Sequence, residues 1–197
     1  MNLLFRMQQS VELFQNKQIR FALAGGMVAS LYRNQPRATA DIDFAVWLHD
    51  DATAKDILNA LGLEAHRLRK AQLEGGPAFA IKRENTPVYM LCGRSPGAEI
   101  GVDLILLSVP WVNSALDRAQ ANAVDFGFGG VPCITAEDLV LSKLYALNNQ
   151  PTRYMDLDDI RSILEAQSEL DWIYLRDQAK HLGLSIPDAI KQWFPIK

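Results

Sequence analysis

The sequence predicts an α/β (α+β) chain, a sheet layer with flanking helices followed by a helical C-terminal region, and three observations carry that prediction. Short apolar runs of strand length alternate with segments of helical periodicity through the first two-thirds of the chain. A glycine pair, Gly25-Gly26, stands between a buried strand and a helix. From Thr135 onward, successive segments have helical spacing and plausible caps. The boundary therefore falls near Thr135 and divides the chain into residues 1–134 and 135–197.

Taken in order, Leu4, Met7, Val11 and Phe14 recur at helical spacing, so a first amphipathic helix is expected over residues 3–14. Phe21-Ala22-Leu23-Ala24 reads as a buried strand that ends in Gly25-Gly26, and a short helix continues over 27–32. A second strand is expected over 39–48. Asp51 or Thr53 can cap the helix that carries Ile57, Leu58 and Leu61. Further strands are expected at 79–82, 88–92 and 100–107, with turns at Gly75-Gly76-Pro77 and Ser95-Pro96-Gly97. Thr135-Ala136-Glu137-Asp138 resembles a capping box with Asp at its last position, and Leu139, Val140, Leu144 and Leu147 follow on a helix. Helices are expected again over 156–166, 171–181 and 187–194.

With 197 residues, 49% of them hydrophobic and 22% charged, the chain can bury a sizeable core and reads as a soluble, cytoplasmic protein. Its longest apolar runs fall far short of the roughly 20 residues that cross a bilayer, so no membrane span is expected. The N-terminal residues lack the pattern of a signal peptide. Cys92 and Cys133 read as buried free thiols, and the scattered His49, His66 and His181 offer no zinc spacing. A net charge of −3 argues against non-specific coating of nucleic acid and leaves room for a local basic groove. Arg67, Arg69, Lys70, Lys82 and Arg83 form a modest cationic stretch that reads as solvated surface.

The chemistry concentrates in Thr39-Ala40-Asp41-Ile42-Asp43-Phe44. Alternate residues of a strand share a face, so Asp41 and Asp43 stand about 6.5 to 7 Å apart on one side while Ile42 points into the core. Two such anions repel unless something neutralises them, and Mg²⁺ prefers hard oxygen ligands. Asp103 is the single charge in the apolar run Val102-Asp103-Leu104-Ile105, a costly placement without a partner. If its strand lies beside that of Asp41, three carboxylates can hold two metal ions roughly 3.5 to 4 Å apart, the arrangement of in-line displacement at phosphorus. Other readings stay open: a strand end facing solvent for Asp41 and Asp43, an arginine partner for Asp103, a plain tight turn for Gly25-Gly26. Glycines between a strand and a helix also let backbone N–H groups approach a phosphate.

Ala24-Gly25-Gly26-Met27-Val28-Ala29-Ser30, the Asp41-Ile42-Asp43 segment with Arg37 before it, and Val102-Asp103-Leu104 together resemble the polymerase-β-type nucleotidyltransferase superfamily. Glu137-Asp138-Leu139-Val140-Leu141-Ser142-Lys143-Leu144, followed by Arg153-Tyr154-Met155-Asp156-Leu157-Asp158-Asp159-Ile160, resembles the AbiEii-like nucleotidyltransferases, which include toxins of toxin–antitoxin pairs.

The resemblance implies a nucleotidyltransferase-type mixed sheet in residues 1–134 and a helical region that completes the cleft. It implies that Asp41, Asp43 and Asp103 bind Mg²⁺ or Mn²⁺, that Gly25, Gly26 and Ser30 meet the triphosphate of an NTP, and that Lys143 and Asp159 complete the site. The implied reaction moves a nucleoside monophosphate onto a hydroxyl of RNA or tRNA, a protein or a small molecule, with an antitoxin as the implied partner. From the residues alone, Lys143 on its apolar helix needs a phosphate or carboxylate if buried, or else snorkels from the helix edge. Arg153, Asp156, Asp158 and Asp159 read equally as helix-start charges, with Asp156 or Asp158 near Arg161. The rival reading of the whole is a catalytically silent nucleotide-binding or partner-binding module.

Overall fold

The computed structural model describes residues 2–69, 88–94 and 100–194. The chain runs α1 (Leu3–Asn16), β1 (Phe21–Ala24), α2 (Gly25–Tyr32), β2 (Asp41–Val46), α3 (Asp51–Ala60), β3 (Glu64–Arg69), β4 (Val88–Arg94) and β5 (Gly101–Ile105). It continues with α4 (Val112–Ala119), β6 (Ala123–Asp125), β7 (Gly130–Pro132), α5 (Ala136–Asn149), α6 (Tyr154–Ala166) and α7 (Trp172–His181), and ends in a 3₁₀ turn over Asp188–Trp193.

The first five strands form a mixed sheet in the order β1-β2-β5-β4-β3, in which β2 and β5 are parallel and the other neighbours antiparallel. Period-2 alternation gives the sheet two chemically different faces. Ile42 and Phe44 of β2 point to one face, where Phe44 meets Phe14 of α1 and Phe21 of β1 at ring-centroid distances of 5.0 and 5.9 Å. Gly93 belongs to that packed side, since a Cβ on it would lie 2.7 Å from Leu58 of α3. Asp41 and Asp43 alternate onto the other face. One buried core runs from Met7 and Phe14 through Leu23, Phe44 and Leu104 to Leu139, Leu144 and Ile160, so sheet and C-terminal helices share it.

Local signals account for most element ends. Thr135 caps α5 by accepting from the N–H of Asp138, whose carboxylate takes the Thr135 hydroxyl in return at 3.0 Å. Asp171 caps α7. The cap of α3 is Asp50, whose side chain accepts from the N–H and hydroxyl of Thr53; the expected caps Asp51 and Thr53 lie inside the first turn instead. The glycine pair begins α2 rather than preceding it. The expected final helix is a 3₁₀ turn, and α4 and the β6–β7 hairpin are additional elements. The expected strand at 79–82, the turns at 75–77 and 95–97, and Lys70, Lys82 and Arg83 lie outside the described residues. Arg67 and Arg69 fall within β3. Both cysteines are buried free thiols. Among the described residues no helix is long and apolar enough to cross a membrane.

Candidate active site on the carboxylate face of the sheet

The parallel pairing of β2 and β5 sets Asp43 opposite Asp103 and Asp41 opposite Gly101. In-register neighbours point to the same face about 4.8 Å apart, so Asp41, Asp43 and Asp103 share one side of the sheet. Asp43 is partly buried and accepts from the N–H of Gly26 at 3.4 Å. Burial, then the charge of Asp103, raise its carboxyl to about 6, with the Gly26 N–H and Lys143 pulling the other way. Burial also raises Asp103, against hydrogen bonds and charge from Arg94. Burial is the leading cause at both carboxyls, and the neighbouring carboxylates add to it.

Arg94, at the end of β4, supplies part of the missing charge. It pairs bidentately with Asp103 and lies 3.3 Å from Asp41. The expected convergence of three carboxylates is therefore partial: Asp41 and Asp103 turn to Arg94 while Asp43 turns to Gly26. Among the described residues, no group of three or more His, Cys, Asp or Glu side chains is gathered so that it could hold a metal ion. The donor chemistry nevertheless fits a hard divalent cation, since three carboxylates on one face meet one guanidinium.

The start of α2 closes the site from the side of β1. Gly25 adopts φ +61°, and a Cβ on it would lie 1.9 Å from the Asp43 carboxylate, so conformation and space both require glycine. A Cβ on Gly26 would come within 2.7 Å of the Thr39 hydroxyl. No side chain caps α2; the Gly26 N–H points at Asp43, and Gly25 and Gly26 line the cleft beside it.

That cleft, of about 190 Å³, is lined by Gly25, Gly26 and Asp43 on one side and by Lys143, Arg153 and Asp156 on another. Arg37 also reaches it, and Met90, Ile105, Val109 and Trp111 form an apolar wall. Lys143 is buried yet paired, at 2.9 Å from Asp156 and 2.6 Å from Asp159, so its expected need for a carboxylate is met. Asp159 is fully buried and does not line the cleft. Burial pushes its carboxyl up, but hydrogen bonds from Arg37 and ion pairs with Lys143 and Arg33 win and hold it at about 2. Ser30 sits a turn beyond Gly26, where its hydroxyl donates to the carbonyls of Gly26 and Arg37 and accepts from the Arg37 N–H. It fastens the loop that carries Arg37. Asp158 pairs with Arg33 and Asp156 with Arg153, in place of the expected pairing with Arg161.

Sequence reasoning gave no role to Arg94, Arg37 or the apolar wall. Arg37 lies four residues before Asp41 in the Arg37–Phe44 segment, and that proximity is a usable signal. Arg94 gives none, because its role depends on which strand pairs with β5.

The sequence matches the family described as "Nucleotidyl transferase AbiEii toxin, Type IV TA system" over residues 12–186. No curated protein matches it in sequence. Among solved structures, the antibiotic-resistance factor ANT(2'')-Ia in solution is similar with a TM-score of 0.55 at 14% identity, covering 91% of each chain. ANT(2'')-Ia in complex with adenylyl-2''-tobramycin is similar with a TM-score of 0.55 at 13% identity, covering 90% of this chain and 96% of that one. The lincosamide antibiotic adenylyltransferase LnuA, lincomycin-bound, has a TM-score of 0.48 at 14% identity, with 82% and 96% covered. The ANT(2'')-Ia structures share the fold of this chain, a mixed sheet with flanking helices. By the extent of the sequence match, the chain belongs to the AbiEii nucleotidyltransferase family.

Proposed function

We propose that the protein transfers a nucleoside monophosphate from an NTP to a hydroxyl acceptor with the help of Mg²⁺ or Mn²⁺, releasing pyrophosphate. The observation that carries this reading is the in-register pairing of Asp43 with Asp103, which sets three carboxylates on one sheet face beside the N-terminus of α2.

Asp41 and Asp43 would hold cations on the triphosphate side, and Asp103 would hold a cation on the side where the acceptor enters. A divalent cation bound there supplies charge neutralisation at the phosphates and a lower pKa for the attacking hydroxyl. The acceptor hydroxyl gives up its proton to solvent and its oxygen bonds the α-phosphorus, as the bond from the α-phosphorus to the oxygen shared with the β-phosphate breaks and pyrophosphate leaves. The chain's own share is placement and charge: N–H groups of Gly25 and Gly26 receive phosphate oxygens. Lys143 and Arg37, fixed by Asp159, face the negative charge that passes to the leaving pyrophosphate. The apolar wall of Met90, Ile105, Val109 and Trp111 keeps water from competing with the acceptor. Residues 135–197 contribute Lys143, Arg153 and Asp156 and would thus complete the cleft begun by residues 1–134.

The acceptor is proposed from the family as RNA or tRNA, a protein or a small molecule, and the role as that of a toxin countered by an antitoxin protein. The test is incubation with Mg²⁺, each labelled NTP and each acceptor class, beside the Asp41→Ala/Asp43→Ala protein. Label transfer lost in the double variant supports the site, and transfer that survives it sinks the site. The second reading, a silent nucleotide- or partner-binding module, draws on the Arg94 pairing that already bridges Asp41 and Asp103. It predicts no transfer to any acceptor by the intact protein.

A further inference from the structure

Arg94 occupies the position that a cation of this site needs. It ends β4, which pairs antiparallel with β5, so its side chain can fold back over the first residue of β5. Its Nη1 donates to Asp103 Oδ1 at 2.5 Å and to the Gly93 carbonyl at 2.9 Å, and its Nη2 lies 3.3 Å from both Asp103 Oδ2 and Asp41 Oδ1. One guanidinium thus bridges two of the three carboxylates.

The path is open only because residue 101 is glycine. A Cβ there would lie 2.3 Å from Nη1 and 2.6 Å from Cζ of Arg94. Glycine at 101 and arginine at 94 therefore work as a pair: the missing side chain is the bed in which the guanidinium lies. The Arg94 side chain is 39% exposed while that of Asp103 is 10% exposed, so the cation has a solvent route out and the carboxylate does not. Arginine keeps its charge at every working pH, and its planar fork suits bidentate carboxylate pairing.

We propose that Arg94 is a built-in counter-ion that competes with the divalent cation for Asp41 and Asp103, so that the nucleotide-free site holds metal weakly. This inference rests on the metal site proposed above. When the guanidinium leaves, the two carboxylates are freed and its charge becomes available to an incoming triphosphate. Nucleotide and metal then each strengthen the binding of the other, as linkage requires of any ligand pair that shares a displaced group.

The experiment is Mn²⁺ titration of the nucleotide-free protein, read by the electron paramagnetic resonance of free Mn²⁺, for the intact chain and for Arg94→Gln, Gly101→Ala and Asp41→Ala. Thermal melts establish that each variant folds. Arg94→Gln should bind Mn²⁺ roughly five- to tenfold more tightly, the scale of a partly exposed cation held against two carboxylates. Gly101→Ala keeps the positive charge but pushes the guanidinium from its bed, and it should shift affinity in the same direction. Unchanged or weaker binding in both variants, with binding still lost in Asp41→Ala, overturns the counter-ion role and leaves the metal site standing. Mn²⁺ binding that is absent, or insensitive to Asp41, in every protein overturns the metal site and this inference together.

Discussion

Two carboxylate clusters, one on the sheet and one on α6, lie near the same cleft, and their charge balance differs. Asp159 on α6 is wholly buried and surrounded by Arg33, Arg37 and Lys143, which hold its carboxyl at about 2. At Asp43 on β2, burial first and the repulsion of Asp103 second outweigh a single backbone N–H and the charge of Lys143, and its carboxyl rises to about 6. The first cluster is complete in itself and locks three helices and a loop together. The second has less positive charge among the described residues, where Arg94 pairs with Asp41 and Asp103. Under the proposed function the carboxylates of the sheet face await a cation from outside, and the contrast then separates the frame of the site from its chemistry.

The largest expected effect tests the chemical side. Asp103→Asn should lower label transfer by about a thousandfold or more, the scale of a lost group that positions and neutralises the reacting phosphate, while the melting temperature changes little. A variant that retains more than a tenth of the activity would remove Asp103 from the site.

On the frame side, Asp159→Ala leaves three cations facing a cavity and should destabilise the fold by about 3–5 kcal/mol, the cost of breaking a buried ion pair. In a chain of this size that is a drop of roughly 10 °C in thermal melting. An unchanged melt would mean that the Arg33, Arg37 and Lys143 contacts carry no net stability.

Asp159 also fixes a pH dependence. Its folded carboxyl lies below its ordinary value of 3.8, so its contribution is present above about pH 4 and is lost as pH falls toward 2. Chemical denaturation between pH 5 and 2 should show about 2 kcal/mol of stability disappearing that Asp159→Asn never had. Parallel pH profiles for the two proteins would contradict the assignment.

Gly25→Ala joins both sides, because it strains a φ of +61° and drives a methyl into the Asp43 carboxylate. It should cost about 1–3 kcal/mol and abolish transfer, measured by denaturation and by label.

The smallest effect has the opposite sign. For Asp43, whose folded carboxyl is raised, stability is greatest while it is protonated and falls as pH rises through about 6. Asp43→Asn should therefore stabilise the metal-free protein at pH 8 by about 1 kcal/mol while it removes activity. Destabilisation by Asp43→Asn would show that the carboxylate is held by more than the Gly26 N–H.

The same division governs what could be read from the sequence. The shared face of Asp41 and Asp43 and the strand–glycine–helix order were legible because both are local properties. The strand Phe21–Ala24 and the Thr135 cap were legible for the same reason. That Asp103 shares their face depended on a parallel pairing between strands separated by more than fifty residues, which alternation alone does not specify. Arg94 was hidden for a further reason, since its reach rests on the antiparallel β4–β5 register and on a missing Cβ at Gly101. Val112, Ala115, Leu116 and Ala119 do repeat at helical spacing, so α4 carried a readable signal that its small residues made weak. The β6–β7 hairpin has three-residue strands and a glycine-rich turn, too short for any period to register.

If Asp41, Asp43 and Asp103 form one cation-binding face, a crystal structure with Mn²⁺ and a non-hydrolysable NTP will show it. Anomalous scattering should place Mn²⁺ about 2.0–2.2 Å from oxygens of these three carboxylates, with the guanidinium of Arg94 withdrawn from Asp41 and Asp103. Mn²⁺ bound elsewhere, with Arg94 still bridging the two carboxylates beside the bound nucleotide, would contradict it.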